Sequence, residues 1–183
     1  KEGESLNKIR RDARLVRRRL RRRRQRLLKL RRLFKRVGLL KHQNEIFEQA
    51  SFVSPWQLRT EGLDRKLSSY EWASVLYHLV KHRGFQSNRK SELKNDEDKK
   101  MGEMLGGITE NQVLLAQYRT VGEMAWKDER FAFAKRNKGG SYSHTFSRTD
   151  LAAELRLLFA RQRQSGNPST DDYFERDVMS LLM

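Results

Sequence analysis

Between Arg14 and Arg32 the chain reads RLVRRRLRRRRQRLLKLRR. A helix built from such a run sets guanidiniums against one another along every face. Like charges spaced i, i+4 without acids to pair them destabilise an isolated helix. From Lys8 to Arg36 there are seventeen Lys/Arg and one acid, Asp12, so this segment carries +16 of the chain's formal +17. The rest of the 183 residues is nearly neutral. Charge concentrated in this way implies a localised polyanionic partner, not a generally basic protein.

The basic segment still has helical order. Leu6, Ile9, Ala13, Val16, Leu20, Leu27, Leu30, Phe34 and Val37 recur at steps of three and four, with Arg23 as the interruption. That spacing predicts one helix of about 30 residues, roughly 45 Å long, with its apolar stripe docked on protein. Ser5 is the expected N-cap and Gly38 the expected stop. Positions 10, 14, 18, 22 and 26 are all arginine. Such a row places side chains about 6 Å apart along the axis, close to the phosphate repeat of a nucleic-acid strand. Arg17, Arg21 and Arg24 flank the row, and Arg11, Arg19 and Arg23 extend it. Arginine's planar fork donates two hydrogen bonds to one phosphate, which favours nucleic acid as the partner. If six to ten of these residues paired with phosphates, affinity should fall by ~10³–10⁵ between 50 and 200 mM salt.

Other partners fit less well. Two such helices would repel in a coiled coil, since the positions flanking the stripe are nearly all Arg. A basic-zipper factor carries its apolar heptads after the basic region, whereas here they run through it. A membrane-surface helix needs a wide apolar face, and these charges surround most of the circumference.

Downstream, helix starts are written in the sequence. Ser54-Pro55-Trp56-Gln57 combines an N-cap, a proline at the first helical position and a capping-box Gln. Ser68 with Glu71 is a second box, followed by Trp72, Val75, Leu76 and Leu79 on one face and Gly84 as the stop. Thr109 with Gln112, and Thr120 with Glu123, repeat the pattern. The last clear helix starts between Ser147 and Asp150, buries Leu151, Leu155, Leu158 and Phe159, and ends before Gly166-Asn167-Pro168. Ser91 to Lys100 reads as a linker, and Phe131 to Phe146 as a loop or small hairpin. The fold class is all-α: an arginine-rich helix over residues 1–40 leading into a compact helical unit over 41–183. A chain opening at Lys1 and ending on Leu-Leu-Met is expected to be a fragment.

A second basic site, Lys81-His82-Arg83-Gly84-Phe85-Gln86-Ser87-Asn88-Arg89-Lys90, lies at a helix end, where cations meet the favourable end of the dipole. Lys81, Arg83, Arg89 and Lys90 are its candidate phosphate contacts. Catalytic chemistry has little to build on. The chain lacks cysteine, which removes disulfides and thiolates. His78 and His82 have the i, i+4 spacing of zinc ligands, but Leu79 stands where a metalloprotease carries glutamate. His144 is read as structural or RNA-facing. The acids form no cluster suited to two-metal hydrolysis. No apolar run approaches the ~20 residues that span a bilayer.

Glu2-Gly3-Glu4-Ser5-Leu6 followed by the arginine helix resembles the bridge helix of CRISPR-associated protein nine, the type II RNA-guided DNA endonuclease. The stretches PWQLRTEGLDRKLSSYEWASVLYHLVKHRGFQSNRK (55–90) and YSHTFSRTDLAAELRLLF (142–159) are similar to the adjoining recognition lobe of its compact II-C branch. The resemblance implies a bacterial, cytoplasmic protein whose arginine helix holds the guide RNA backbone, and with it the RNA–DNA heteroduplex. By that resemblance Arg11, Arg14, Arg18, Arg22 and Arg26 face the seed backbone. Arg17, Arg19 and Arg23 contact seed or scaffold, and Arg83 touches the repeat duplex. The family's nuclease residues and their magnesium are expected outside this segment, which should bind RNA and cleave nothing. Lys41 to Ser54 and the loop around Gln117 look shorter than the family's. Two other readings remain open: a protein-interaction module whose basic helix docks an acidic partner such as an anti-CRISPR inhibitor, and an unrelated RNA-binding protein.

Overall fold

The computed structural model of the chain describes residues 6–48, 53–86 and 99–183. Its order is α1 (Leu6–Arg36), α2 (Pro55–Glu61), α3 (Ser69–Lys81), α4 (Lys99–Leu115), α5 (Val121–Lys127), α6 (Arg148–Gln164) and α7 (Asp172–Leu182), with short 3₁₀ turns at Glu45–Phe47 and Glu129–Phe131. Among the described residues there is no strand, only an isolated parallel bridge between Phe85 and Ser147. The predicted N-cap Ser5 and the basic residues Arg89 and Lys90 lie outside the described residues.

The long helix has two unlike halves. Leu30, Leu33 and Phe34 are buried in the common core, with Leu27 and Val37 packed against it. Residues 7 to 22 are exposed throughout. This corrects the expectation of a stripe docked along its whole length: Ile9, Val16 and Leu20 are 51%, 51% and 59% exposed. The seam closes only beyond Arg23, where α3 and α7 supply a surface. Phe34 packs edge-on against Phe174 of α7, which meets Phe159 of α6, which meets Trp72 of α3. These T-shaped pairs tie the inner half of α1 to the helical unit.

Several starts form as the sequence implies. Ser68 and Glu71 make the full capping box of α3, and Ser147 and Thr120 cap α6 and α5. Ser54 caps α2 with Pro55 in the first turn, but Gln57 turns to Glu61 instead of closing a box. Thr109 and Gln112 do not start a helix. They lie inside α4, where the Thr109 hydroxyl donates to the carbonyl of Leu105 and Gln112 reaches Asp150. The expected linker Ser91–Lys100 falls mostly outside the described residues, and its last two residues already belong to α4. α7, capped by Asp171, was not anticipated.

Two buried polar arrangements fix the layers. Arg59 of α2 donates both arms of its fork to Glu154 of α6, at 2.7 and 2.6 Å, and neither side chain is more than 1% exposed. The amide of Gly122 in α5 donates to the same carboxylate. A Cβ there would meet Glu154 Oε1 at 2.6 Å and Arg59 Cβ at 2.8 Å, so only glycine lets α5 approach. Gln162, fully buried, donates to the carbonyls of Gly62 and Arg65 and accepts from Leu67 N and Asn167 Nδ2, so its amide is satisfied.

Candidate nucleic-acid interface

The outer half of α1 presents its arginines free. Arg10, Arg11, Arg14, Arg17, Arg18, Arg19, Arg21, Arg22 and Arg24 are exposed. Among the described residues none of them makes a hydrogen bond or ion pair. A row at i, i+4 puts Arg10, Arg14, Arg18 and Arg22 on one face over about 18 Å of axis. No carboxylate of the described residues neutralises it. This is the condition for a site that pairs with an external chain of phosphates and releases their counterions.

Arg26, the fifth of that row, is placed differently. Its Nε donates to the carbonyl of Val80 at 3.2 Å and it is half-buried. Burial, followed by the charges of Arg83, Arg23 and Arg148, pushes its pKa down to about 10. Arg148 is lowered by burial and by Arg83, and Arg136 by burial and by Arg23. Thus cations from α1, the end of α3, the loop over 131–146 and the start of α6 converge and repel one another. Such a cluster asks for an anion.

Part of this cluster opens on a cavity of about 370 Å³, which Arg26 and Arg148 do not line. Arg23, Lys81, His82, Arg83 and Arg136 line it, over an apolar base that includes Trp56, Phe85 and Phe146. Local geometry explains why it forms here. α3 ends at Lys81, and position 84 requires glycine, since its φ is +74° and a Cβ there would meet the carbonyls of Phe146 and Ser147 at 2.8 and 3.0 Å. Phe85 N then donates to Phe146 O, and Arg148 N to Phe85 O, which stitches the turn to the start of α6. Arg83 and Arg148 both reach the carbonyl of Met183. The segment over 131–146 is a loop, not a hairpin. Asn137 closes it by donating to Thr145 Oγ1 and accepting from His144 N. Asn111 of α4 holds it from beneath through the carbonyls of Ser143 and Thr145.

His78 and His82 are close, with ring centroids 5.0 Å apart. Burial first, then surrounding cations, push them down to about 2 and about 3. Among the described residues no group of three His, Cys, Asp or Glu could hold a metal ion. His144 lines the cavity and packs on Phe131. Of the residues predicted from sequence, the fold brings together Arg23, Arg26, Lys81 and Arg83, and leaves the others on the open helix. Arg136 and Arg148 were missed. Nothing in their local sequence tells which of many arginines the fold brings to this cluster. Among the described residues, no helix is long and apolar enough to cross a membrane.

No family model matches the chain. It is 34% identical over 197 residues to the CRISPR-associated endonuclease Cas9 of Campylobacter jejuni, a match covering 99% of this chain and 19% of that protein. A crystal structure of Campylobacter jejuni Cas9 in complex with sgRNA and target DNA superposes with a TM-score of 0.83 at 32% identity, covering 99% of this chain and 25% of that one. A cryo-EM structure of a dimeric St1Cas9–sgRNA–AcrIIA6 assembly superposes with a TM-score of 0.78 at 25% identity, covering 99% of this chain and 21% of that one.

Proposed function

The chain is homologous over nearly its whole length to a segment of Cas9 endonucleases, and from that premise we propose that it is the guide-RNA-holding part of such an enzyme. The observation that carries the proposal is the exposed arginine row of α1, unpaired by any described carboxylate. In this reading Arg10, Arg14, Arg18 and Arg22 bind the seed backbone, with Arg11, Arg17, Arg19, Arg21 and Arg24 beside them. Arg23, Lys81 and Arg83 bind phosphates at the cavity, joined by Arg136. Holding seed bases in helical order lowers the entropic cost of pairing with target DNA. The division into a bridge helix over 1–40 and a recognition-lobe segment over 41–183 belongs to the same proposal. So do a bacterial cytoplasmic setting, the absence of cleavage by this segment alone, and magnesium held by nuclease domains elsewhere in the parent. Support comes from the relatives' complexes with sgRNA and target DNA.

A second reading has one observation in its favour. The same free guanidiniums suit an acidic protein. An acidic inhibitor would then compete with RNA for the row.

The test is binding of the 183-residue chain to the relative's sgRNA and to random RNA of equal length, at several salt concentrations. We expect the sgRNA to bind more tightly, with log affinity falling linearly in log salt. Equal affinity for both RNAs would count against guide recognition. Tight binding to neither, with retained affinity for an acidic protein, would favour the second reading.

A further inference from the structure

A guanidinium has five N–H donors and no acceptor. Arg136 Nη1 lies 3.3 Å from His82 Nε2, and Arg59 Nη1 lies 3.3 Å from His78 Nδ1. In each pair the ring nitrogen can only accept. Both rings are therefore neutral, His82 carrying its proton on Nδ1 and His78 on Nε2. The two arginines differ in what else holds them. Arg59 is locked by Glu154, whereas Arg136 has no carboxylate partner among the described residues. At the mouth of the cavity, the acceptor that holds the Arg136 guanidinium is His82.

We propose that His82 is a positioning residue for RNA: its unprotonated Nε2 holds the Arg136 guanidinium across the cavity as a preorganised phosphate ligand. This rests on the reading that the cavity receives RNA phosphate. The groups facing His82 agree with it. Lys81 on its own helix, Arg23 from α1, Arg59 from α2 and Arg136 from the loop are all cations, and the neutral His78 ring lies 5.0 Å away on α3. Protonating His82 would withdraw the acceptor and repel Arg136 in the same step. Burial and these charges press its pKa to about 3, so the arrangement holds above pH 5. A long, flexible arginine fixed in advance loses less rotamer entropy on meeting a phosphate.

The experiment is a double-mutant cycle on the 183-residue chain, with labelled sgRNA of the Campylobacter jejuni relative as the probe. Arg136→Ala should weaken binding about 10-fold, the loss of one charge-assisted phosphate contact. His82→Leu should weaken it about 5-fold by freeing that arginine. His82→Gln, whose amide oxygen can replace Nε2, should stay within about twofold of the parent. The double variant His82→Leu/Arg136→Ala should be no worse than Arg136→Ala alone, because His82 acts through Arg136. Melting curves establish that each variant is folded. If His82→Leu does not fold, His82→Gln and the pH profile decide.

Affinity of the parent should show no His82-dependent rise between pH 8 and 5. A rise on acidification that His82→Gln abolishes would make His82 a direct cationic contact and overturn the proposal. So would a His82→Leu loss that persists in the Arg136→Ala background, or a folded His82→Gln that binds as poorly as His82→Leu. An Arg136→Ala variant that binds like the parent removes Arg136 from RNA binding, and the proposal falls with it. Specific sgRNA binding through α1 would survive that last result.

Discussion

Arg59 and Glu154 meet where α2, α5 and α6 converge, and each is the other's main compensation for leaving water. Glu154→Gln would leave a guanidinium in a dry site with neutral acceptors only, the new amide oxygen and His78 Nδ1. The expected cost is about 3–5 kcal/mol, read from thermal or urea unfolding. Replacing both, as Arg59→Met with Glu154→Leu, should cost less than the single change, since no charge is then buried alone. Acid sensitivity follows from two other sets of side chains. Arg65 holds Glu71 down to about 2, and Arg119 does the same for Glu123. Their contribution is complete above the ordinary value near 4.5 and is lost as pH falls towards 2. His78 and His82 act earlier. Their folded values lie far below the ordinary 6.5, so the unfolded chain takes up protons first and stability falls once pH drops below about 6.5. Between pH 7 and 5 the melting temperature should decline while those carboxylates stay ionised. His82→Gln should make that decline shallower, and an unchanged slope would place the protons elsewhere.

α1 shows how one helix serves two roles along its length. Beyond Arg23 one face of it enters the core, and from Arg10 to Arg22 it is an exposed rod whose arginines pair with no described side chain. Reversing Arg14, Arg18 and Arg22 to Glu should therefore weaken RNA binding strongly, with a melting temperature close to the parent's. Arg26 must be left out of that set, because its bond to Val80 O makes it part of the structure. If the triple reversal kept its RNA affinity, the row would not be the site. Circular dichroism offers a companion measurement: helicity should rise on adding RNA, since neutralising i, i+4 repulsion favours the outer turns. The starts of α2, α3, α5 and α6 were legible because a hydroxyl cap signals its own position within four residues. α4 misled because a Thr-x-x-Gln pattern also fits inside a helix, where threonine bonds back to the preceding turn. α4 also carries a Gly106-Gly107 pair, which lowers its helix propensity. The reason for the second glycine is tertiary: a Cβ at Gly107 would meet the carbonyl of Tyr142 at 2.6 Å. α7 was readable in principle, since Asp171 precedes Phe174, Val178 and Leu182 at steps of four. The charged row was legible for the same reason, being a matter of spacing within one helix. The cavity was not, because Arg23, Arg83 and Arg136 come from three distant segments whose meeting depends on the Gly84 turn and the Asn137-closed loop.

At the scale of the molecule, charge and apolar burial are segregated along the chain, and stability and RNA binding should separate with them. Phe34 belongs to the aromatic series that runs through α7 and α6 to α3, and it is fully buried. Phe34→Ala should cost about 3–5 kcal/mol through lost transfer energy and the cavity it leaves. It should weaken RNA binding only as far as the anchored end of α1 loosens, because the arginines themselves are untouched. Deleting residues 1–22 is the complementary change. It removes eight exposed arginines and no buried side chain among the described residues from 7 onward, and leaves Arg23 at the cavity. The shortened chain should melt within a few degrees of the parent, while the slope of log affinity against log salt shrinks by about 0.7–0.9 for each phosphate the chain no longer neutralises. A melting temperature that collapsed on this deletion would mean the outer helix supports the fold after all. An unchanged salt slope would move the phosphate-binding role to the cavity and strip α1 of it. Because the two variants act on opposite halves of one helix, measuring both distinguishes a rod that binds from a rod that only holds the fold together.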